Sequence, residues 1–126
     1  MFNRCRVSEG SGEPQRDRPV LGVESAGSAA IVRLAGEIDL YNVDQVRAAI
    51  GGAVDDGPSR VVIDLSQVEF MDSTALGVLI EARAALPEGA LRLAAPQLET
   101  MRALKVSGLD RHLKVHDTVA EALSAD

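Results

Sequence analysis

Residues 60–86, RVVIDLSQVEFMDSTALGVLIEARAAL, contain the transition that decides the fold class: a short apolar run, a turn and an amphipathic segment. The run at residues 60–65 follows Pro58 and is rich in β-branched residues, which predicts a buried central strand. Residues 66–71 are predicted to connect this strand to the turn. The helix after the turn is indicated by apolar residues at the spacing of one helical face, namely Ala75, Leu79, Ala82 and Leu86.

Short apolar runs and helical patterns also alternate on both sides of this segment. The further predicted strands cover residues 19–23, 29–35, 90–94 and 112–116. The further predicted helices contain Val43 to Ala53, Leu98 to Leu104, and VAEAL at 119–123, where Thr118 and Glu121 have capping-box spacing. The order β-β-α-β-α-β-α-β-α predicts an α/β fold whose mixed sheet has a parallel core and one antiparallel edge hairpin.

Length and composition indicate one domain with an aliphatic core. The chain has 126 residues, of which 46% are hydrophobic, 25% are charged and only 2% are aromatic. Residues 1–18 are polar and contain Pro14, so we expect a flexible N-terminal tail there and one folded domain at 19–126.

The net charge of −6 bears on the class of partner. Nucleic acids and anionic membranes attract clustered Lys and Arg, so we expect this acidic chain to bind neither and to prefer a basic protein surface. Cys5 is the only cysteine, and no His or Cys cluster has metal-ligand spacing, so neither a disulfide nor a metal site is expected. Neither a membrane-spanning apolar run nor a signal-peptide pattern is present, which predicts a cytoplasmic protein.

The turn DSTALG at residues 72–77 allows two interpretations. In one, Asp72 or Ser73 only caps the helix, by accepting hydrogen bonds from its first backbone N–H groups. In the other, Ser73 is a phosphorylation site, because a hydroxyl at a helix N-terminus is exposed and an added phosphate meets the positive end of the helix dipole. Thr74 is the secondary candidate acceptor.

A second polar segment, Gly36-Glu37-Ile38-Asp39, follows the second predicted strand. Because neighbouring parallel strands end at the same edge of a sheet, we expect this loop to lie beside residues 72 and 73. Ile38 is then expected as an exposed apolar anchor between two carboxylates. The alternative is a plain turn, in which Gly36 bends the chain and Asp39 caps the next helix.

Enzymatic sites receive little support from the sequence. His112 and His116 alternate with apolar residues and are expected on the same side of the last strand, as surface or edge residues. Ser73 has no base evident in the sequence, and no nucleophile elbow, P-loop, dinucleotide-binding or metal motif is present. We therefore predict no catalytic residues, no cofactor and no enzyme activity.

Three stretches resemble the STAS domain of anti-sigma-factor antagonists: LAGEIDLYNV at 34–43, VVIDLSQVEFMDSTALGVLI at 61–80 and LKVSGLDRHLKVHDTVAEAL at 104–123. The resemblance covers roughly residues 19–125. It implies a small mixed sheet with about four helices packed mainly on one side. It also implies that Ser73 is the phosphorylated serine, flanked by acidic positions at Asp39 and Asp72. Ala75 departs from the family, in which Gly is commoner at this position.

The resemblance further implies a stress-response mechanism of partner switching. The unphosphorylated protein binds an anti-sigma factor of the histidine-kinase-like ATPase type and so frees a sigma factor. That partner phosphorylates Ser73 with its own ATP and Mg²⁺, which releases it, and a serine phosphatase restores the binding form. The partner-binding residues implied are Gly36, Glu37, Ile38, Asp39, Asp72, Ser73, Thr74, Ala75 and Leu76.

Two alternatives from other functional classes stay open. One is a structural STAS subunit of a larger signalling or lipid-transport assembly, in which the 72–77 turn is a docking patch that is never phosphorylated. The other is a small hydrolase or phosphotransferase that uses Asp72 or Ser73.

Overall fold

Five strands and four α-helices alternate along residues 18–125, the part of the chain that the computed structural model describes. The strands are β1 (Val20–Ala26), β2 (Ala29–Ile38), β3 (Arg60–Met71), β4 (Leu91–Ala94) and β5 (Lys114–His116). The helices are α1 (Val43–Asp55), α2 (Ser73–Ala85), α3 (Leu98–Ser107) and α4 (Val119–Ser124), and a 3₁₀ turn (Leu109–Arg111) precedes β5. This order of elements confirms the predicted one.

The strands form one mixed sheet in the order β1-β2-β3-β4-β5. β1 and β2 make the antiparallel edge hairpin, and the remaining pairs are parallel. The predicted sheet is therefore confirmed. Since β2 and β3 are parallel neighbours, the loops that follow them leave the sheet at the same edge.

The two faces of the sheet have separate apolar clusters. The larger cluster joins alternate β3 residues such as Val61 and Ile63 to buried residues of α1, α2 and α3. The smaller one packs Ile31, Val62 and Ala94 against Ala122 of α4. Three helices thus cover one face and α4 alone covers part of the other, which confirms packing mainly on one side.

Two arginines hold the C-terminal end of α4 against the sheet. Arg60 donates hydrogen bonds from Nη1 to the carbonyl oxygens of Ala122 and Leu123. Arg92 donates from Nη1 to the carbonyl oxygen of Ala125 at 2.7 Å. Cations are favourable there because the last carbonyl groups carry the negative end of the helix dipole.

The central strand is longer than predicted. β3 continues to Met71, so the prediction of residues 66–71 as a connection is wrong. β2 likewise continues to Ile38, and the two strands stay paired up to Ile38 and Met71 through two register shifts. The apolar pattern hid this continuation because Gln67 and Glu69 are exposed in the later half of β3.

Side chains from α3 cover one edge of that later half. β4 pairs with β3 only as far as Asp64, so no strand lies on this side beyond it within the described residues. Gln97, which precedes α3, donates from Nε2 to the Ser66 carbonyl oxygen at 2.9 Å. Thr100 donates from Oγ1 to the Val68 carbonyl oxygen at 3.5 Å. Backbone acceptors that a neighbouring strand would normally bind are bonded to side chains instead.

The last strand begins later than predicted. The backbone N–H groups of His112 and Leu113 donate to the carbonyl oxygen of Leu109, which continues the 3₁₀ turn and delays β5 until Lys114. His112 therefore lies outside the strand, and the prediction that both histidines lie on the last strand is wrong.

The predicted tail of residues 1–18 lies outside the described residues except for Arg18, and it stays a prediction, as does the predicted domain boundary. Among residues 18–125, none of the helices has the length and hydropathy that a membrane span requires.

Candidate functional site

Asp72 joins the loops that follow β2 and β3. Its backbone N–H donates to the carbonyl oxygen of Ile38 at 3.1 Å, and its Oδ2 accepts a hydrogen bond from the backbone N–H of Leu40 at 3.2 Å. The two polar segments singled out in the sequence therefore meet at one sheet edge. We call the group Glu37, Asp39, Asp72 and Ser73 the acidic rim.

The same carboxylate also caps α2. Asp72 has an extended backbone conformation, and its Oδ1 accepts a hydrogen bond from the backbone N–H of Ala75 at 3.0 Å. Of the two residues that the sequence offered as caps, Asp72 is the one that takes this position. Both carboxylate oxygens of Asp72 are thus bonded to backbone, one on each side of the junction.

Ser73 is the first residue of α2 and lies at the N-terminal end of that helix. The residue is exposed, and its hydroxyl has no hydrogen-bond partner within residues 18–125. A nucleophilic serine of an enzyme is normally activated by a base within hydrogen-bond reach, and none of the described residues meets that condition here.

The residues after Ser73 turn progressively inward. Thr74 is half-buried, while Ala75 and Leu76 are buried in the larger apolar cluster. The methyl group of Ala75 therefore occupies the core rather than the outer surface. Ala75 therefore contributes to the packing beneath the turn and leaves the approach to the Ser73 hydroxyl open.

Ile38 is fully buried, with 0% of its surface exposed, so the prediction of an exposed anchor at this position is wrong. The physical reason is that β2 continues through residue 38 and directs this side chain into the core. Large apolar side chains are exposed instead at Leu40 (66%), Tyr41 (86%) and, at the neighbouring end of β3, Phe70 (50%). The sequence analysis did not identify Leu40 and Tyr41, although the sequence places both residues between a polar turn and the first residue of α1.

The loop that presents Leu40 and Tyr41 is held by its own side chains. Asp39 accepts a hydrogen bond on Oδ1 from the Tyr41 backbone N–H at 2.9 Å. Asn42 is buried, accepts on Oδ1 from the Asp39 backbone N–H at 2.9 Å, and donates from Nδ2 to the Glu37 carbonyl oxygen at 2.8 Å. Asn42 is a positioning residue that the sequence analysis did not identify. These bonds fix the exposed apolar pair beside the acidic rim.

Within residues 18–125, no group of three or more His, Cys, Asp and Glu side chains is arranged to hold a metal ion.

Comparison with known proteins agrees with the fold. The STAS domain description matches residues 21–122, which is most of the chain. The chain belongs to the STAS domain family.

Characterised relatives of this STAS domain include anti-sigma-factor antagonists. The anti-sigma-F factor antagonist RsfB of Mycobacterium tuberculosis is 31% identical over 109 residues, which cover 86% of this chain and 89% of the relative. The crystal structure of an anti-sigma factor antagonist from Mycobacterium paratuberculosis superposes with a TM-score of 0.78 at 34% identity, over 84% of this chain and 91% of that one.

A further structural relative has been solved in two states. The anti-sigma factor antagonist SpoIIAA in its unphosphorylated form has a TM-score of 0.68 at 26% identity, over 81% of this STAS domain chain and 90% of that one. The Bacillus cell fate determinant SpoIIAA in its phosphorylated form has a TM-score of 0.61 at 26% identity, over 81% and 95%.

Proposed function

We propose that this STAS domain is an anti-sigma-factor antagonist that is switched by phosphorylation at Ser73. The unphosphorylated form binds an anti-sigma factor of the histidine-kinase-like ATPase type and so releases a sigma factor. The observation that carries the proposal is the exposed, unbonded hydroxyl of Ser73 at the first position of α2. The names of RsfB and SpoIIAA support an anti-sigma factor as the partner, and the two solved forms of SpoIIAA support phosphorylation as the modification.

The folded domain can accept the modification without unfolding. A phosphate on Ser73 lies at the N-terminus of a 13-residue helix, where the dipole favours an anion. Asp72 keeps the Ala75 N–H occupied, and the added group extends outward because the Ser73 side chain is exposed. The modification adds about −1.5 to −2 charges at pH 7. Its effect therefore falls on whatever protein is bound to this surface.

The unphosphorylated surface has the composition of a protein-docking site. Leu40, Tyr41 and Phe70 supply exposed apolar area, while Glu37 and Asp39 supply negative charge that complements a basic partner. Adding a phosphate beside Asp72 increases the negative charge within an interface that fits a neutral hydroxyl. Misplaced charge at an interface costs several kcal/mol, so an affinity loss of about a hundredfold to a thousandfold is expected.

In this proposal the partner is also the kinase, with its own ATP and Mg²⁺, and a serine phosphatase returns Ser73 to the hydroxyl form. The protein acts in the cytoplasm during stress-linked control of transcription, binds neither nucleic acid nor membrane, and catalyses no reaction itself.

The test compares the wild-type chain with Ser73→Ala and Thr74→Ala. Each is incubated with candidate ATP-binding anti-sigma factors and Mg²⁺–ATP, and added phosphate is located by intact mass and peptide mapping. We expect S73A to bind the partner and to stay unmodified, and T74A, the matched hydroxyl control, to be phosphorylated as in the wild type. Incorporation into S73A at the wild-type rate would refute the assignment of Ser73.

Two other outcomes would replace the proposal altogether. A large stable assembly in native mass spectrometry, with no phosphorylation by any candidate partner, would indicate a structural STAS subunit. Turnover of an ester or nucleotide by the purified chain alone would indicate an enzyme.

A further inference from the structure

A concave basic surface lies at the end of the molecule opposite the acidic rim. A cavity of about 200 Å³ is lined by Arg83, Arg111, His112 and Lys114, with Glu88 as the acidic residue of its wall. We call these five residues the basic pocket. It lies beyond the C-terminal end of α2 and at the amino ends of β4 and β5, whereas Ser73 is at the N-terminal end of α2. The 13 residues of α2 separate the two sites by about 20 Å at 1.5 Å per residue.

The basic pocket is positively charged, whereas the chain as a whole is negatively charged. The protein has a net charge of −6, yet three permanent cations face one carboxylate here. Three other arginines form ion pairs with carboxylates: Arg33 with Glu24 and Asp64, Arg47 with Asp44 and Glu81, and Arg102 with Glu99. Arg111 and Lys114 are exposed and have no such pair within residues 18–125. Their charge is available to a ligand.

The pocket is also partly organised. Arg83 donates a hydrogen bond from Nε to the His112 carbonyl oxygen at 2.7 Å, which fixes the guanidinium against the wall and leaves its other N–H groups free of partners in the described part of the chain. Lys114 extends across Gly89, where a Cβ would lie 3.3 Å from Lys114 Cε. Because glycine has no side chain, Lys114 can pass close to the Gly89 backbone and lie along the pocket.

We propose that the basic pocket binds a phosphate group. Arginine presents a planar fork that matches phosphate oxygens, and lysine adds a compact charge, so Arg83, Arg111 and Lys114 form a suitable set of donors. Pockets for whole drug-sized ligands occupy about 300–1,000 Å³, and this smaller one fits the charged group rather than a large organic body. The phosphate is either the free inorganic ion or the ester group of a small phosphorylated molecule.

The experiment titrates the unphosphorylated full-length chain with inorganic phosphate and, separately, with β-glycerophosphate, against chloride at equal ionic strength. Backbone amide shifts are followed by ¹H–¹⁵N NMR. We expect saturable shifts at Gly89, Arg111 and Lys114. Tighter binding of the ester assigns the site to an organic phosphate, and tighter binding of the inorganic ion assigns it to free phosphate.

Charge-matched variants separate a site from general attraction. R111Q/K114Q should lose at least about tenfold in affinity, which corresponds to about 1.4 kcal/mol. R102Q/K105Q removes the same charge from the exposed surface of α3 and should bind as the wild type does. Glu88→Gln should tighten binding, because it removes the opposing carboxylate.

Three results would overturn the inference. They are the absence of saturable shifts, equal losses in both double variants, and shifts with an oligoglutamate peptide but not with phosphate, which would assign the surface to acidic protein segments. S73A should bind phosphate with unchanged affinity, so the outcome is independent of the function proposed for Ser73.

Discussion

Asp72 stabilises the junction between β2, β3 and α2, since its two carboxylate oxygens and its backbone N–H bond to three different points of that junction. A carboxylate bonded in this way is a structural element of the site as well as a source of charge. Ser73, directly after it, has neither role in the unmodified protein, which is why its hydroxyl remains available. At the scale of single residues, Asp72 thus holds the junction in place, and the adjacent Ser73 is left for the proposed modification.

Removing the Asp72 side chain should destabilise the domain. We expect Asp72→Ala to lower the free energy of unfolding by about 1–2 kcal/mol, because it loses an N-cap and the bond to Leu40. Asp72→Asn keeps one side-chain oxygen as an acceptor and should lose less. Urea unfolding followed by circular dichroism measures both values. A D72A variant as stable as the wild type would show that the two bonds contribute nothing in solution.

The correction at residue 38 leads to a second prediction. Ile38→Ala should cost about 2–5 kcal/mol, because it leaves a cavity at a fully buried position. Leu40→Ala and Tyr41→Ala remove exposed side chains and should change stability by less than about 0.5 kcal/mol.

Equilibrium unfolding of the three variants gives the stability comparison. Partner affinity then distinguishes docking from folding, since only L40A and Y41A should weaken binding in protein that remains fully folded. If I38A unfolds at the wild-type urea concentration, the side chain is not in the core.

At the scale of elements, the contact between β5 and α4 contains a titratable group without a partner. The His116 Nε2 is buried and makes no hydrogen bond within the described residues. Burial lowers the pKa of His116 below its ordinary value, and the nearby cations Arg92, Lys114 and Arg60 lower that pKa further, while Glu121 opposes them. At a pH at which His116 of the unfolded chain already begins to bind a proton, the imidazole of the folded protein is therefore still neutral.

This shift has a definite sign for stability. The unfolded histidine takes up a proton near pH 6.5, whereas the folded one takes it up only at lower pH, so the unfolded state binds more protons in between. The free energy of unfolding should have its full value above about pH 6.5 and decrease as the pH falls towards the pKa of His116 in the folded state. Urea unfolding at several pH values between about 7 and 5 measures this slope.

Paired histidine variants test its origin. His116→Gln should flatten the slope, whereas His112→Gln, at an exposed position outside β5, should retain it. Equal slopes in the wild type and H116Q would assign the acid sensitivity to other groups.

At the scale of the whole molecule, the order of elements and the arrangement of the sheet could be predicted from the sequence, because apolar periodicity changes clearly at Pro58, Gly57 and Gly108. The ends of β2 and β3 could not, because pairing through two register shifts depends on the neighbouring strand and leaves no simple alternation in either segment. For this reason Ile38 was wrongly predicted to be exposed. The position of Leu40 and Tyr41 between a polar turn and α1 can be read from the sequence, whereas the Asn42 bonds that hold their loop cannot.

The long central strand has a consequence for how the molecule behaves in a crowded solution. A strand that extends beyond its neighbour exposes unpaired backbone N–H and C=O groups. Strands of other chains can pair with such an edge and form intermolecular sheets. Here Gln97 and Thr100 occupy the carbonyl oxygens of Ser66 and Val68, so that self-association along β3 must first displace α3. The start of α3 thus protects this edge of β3, close to the turn that carries Ser73, from pairing with another chain.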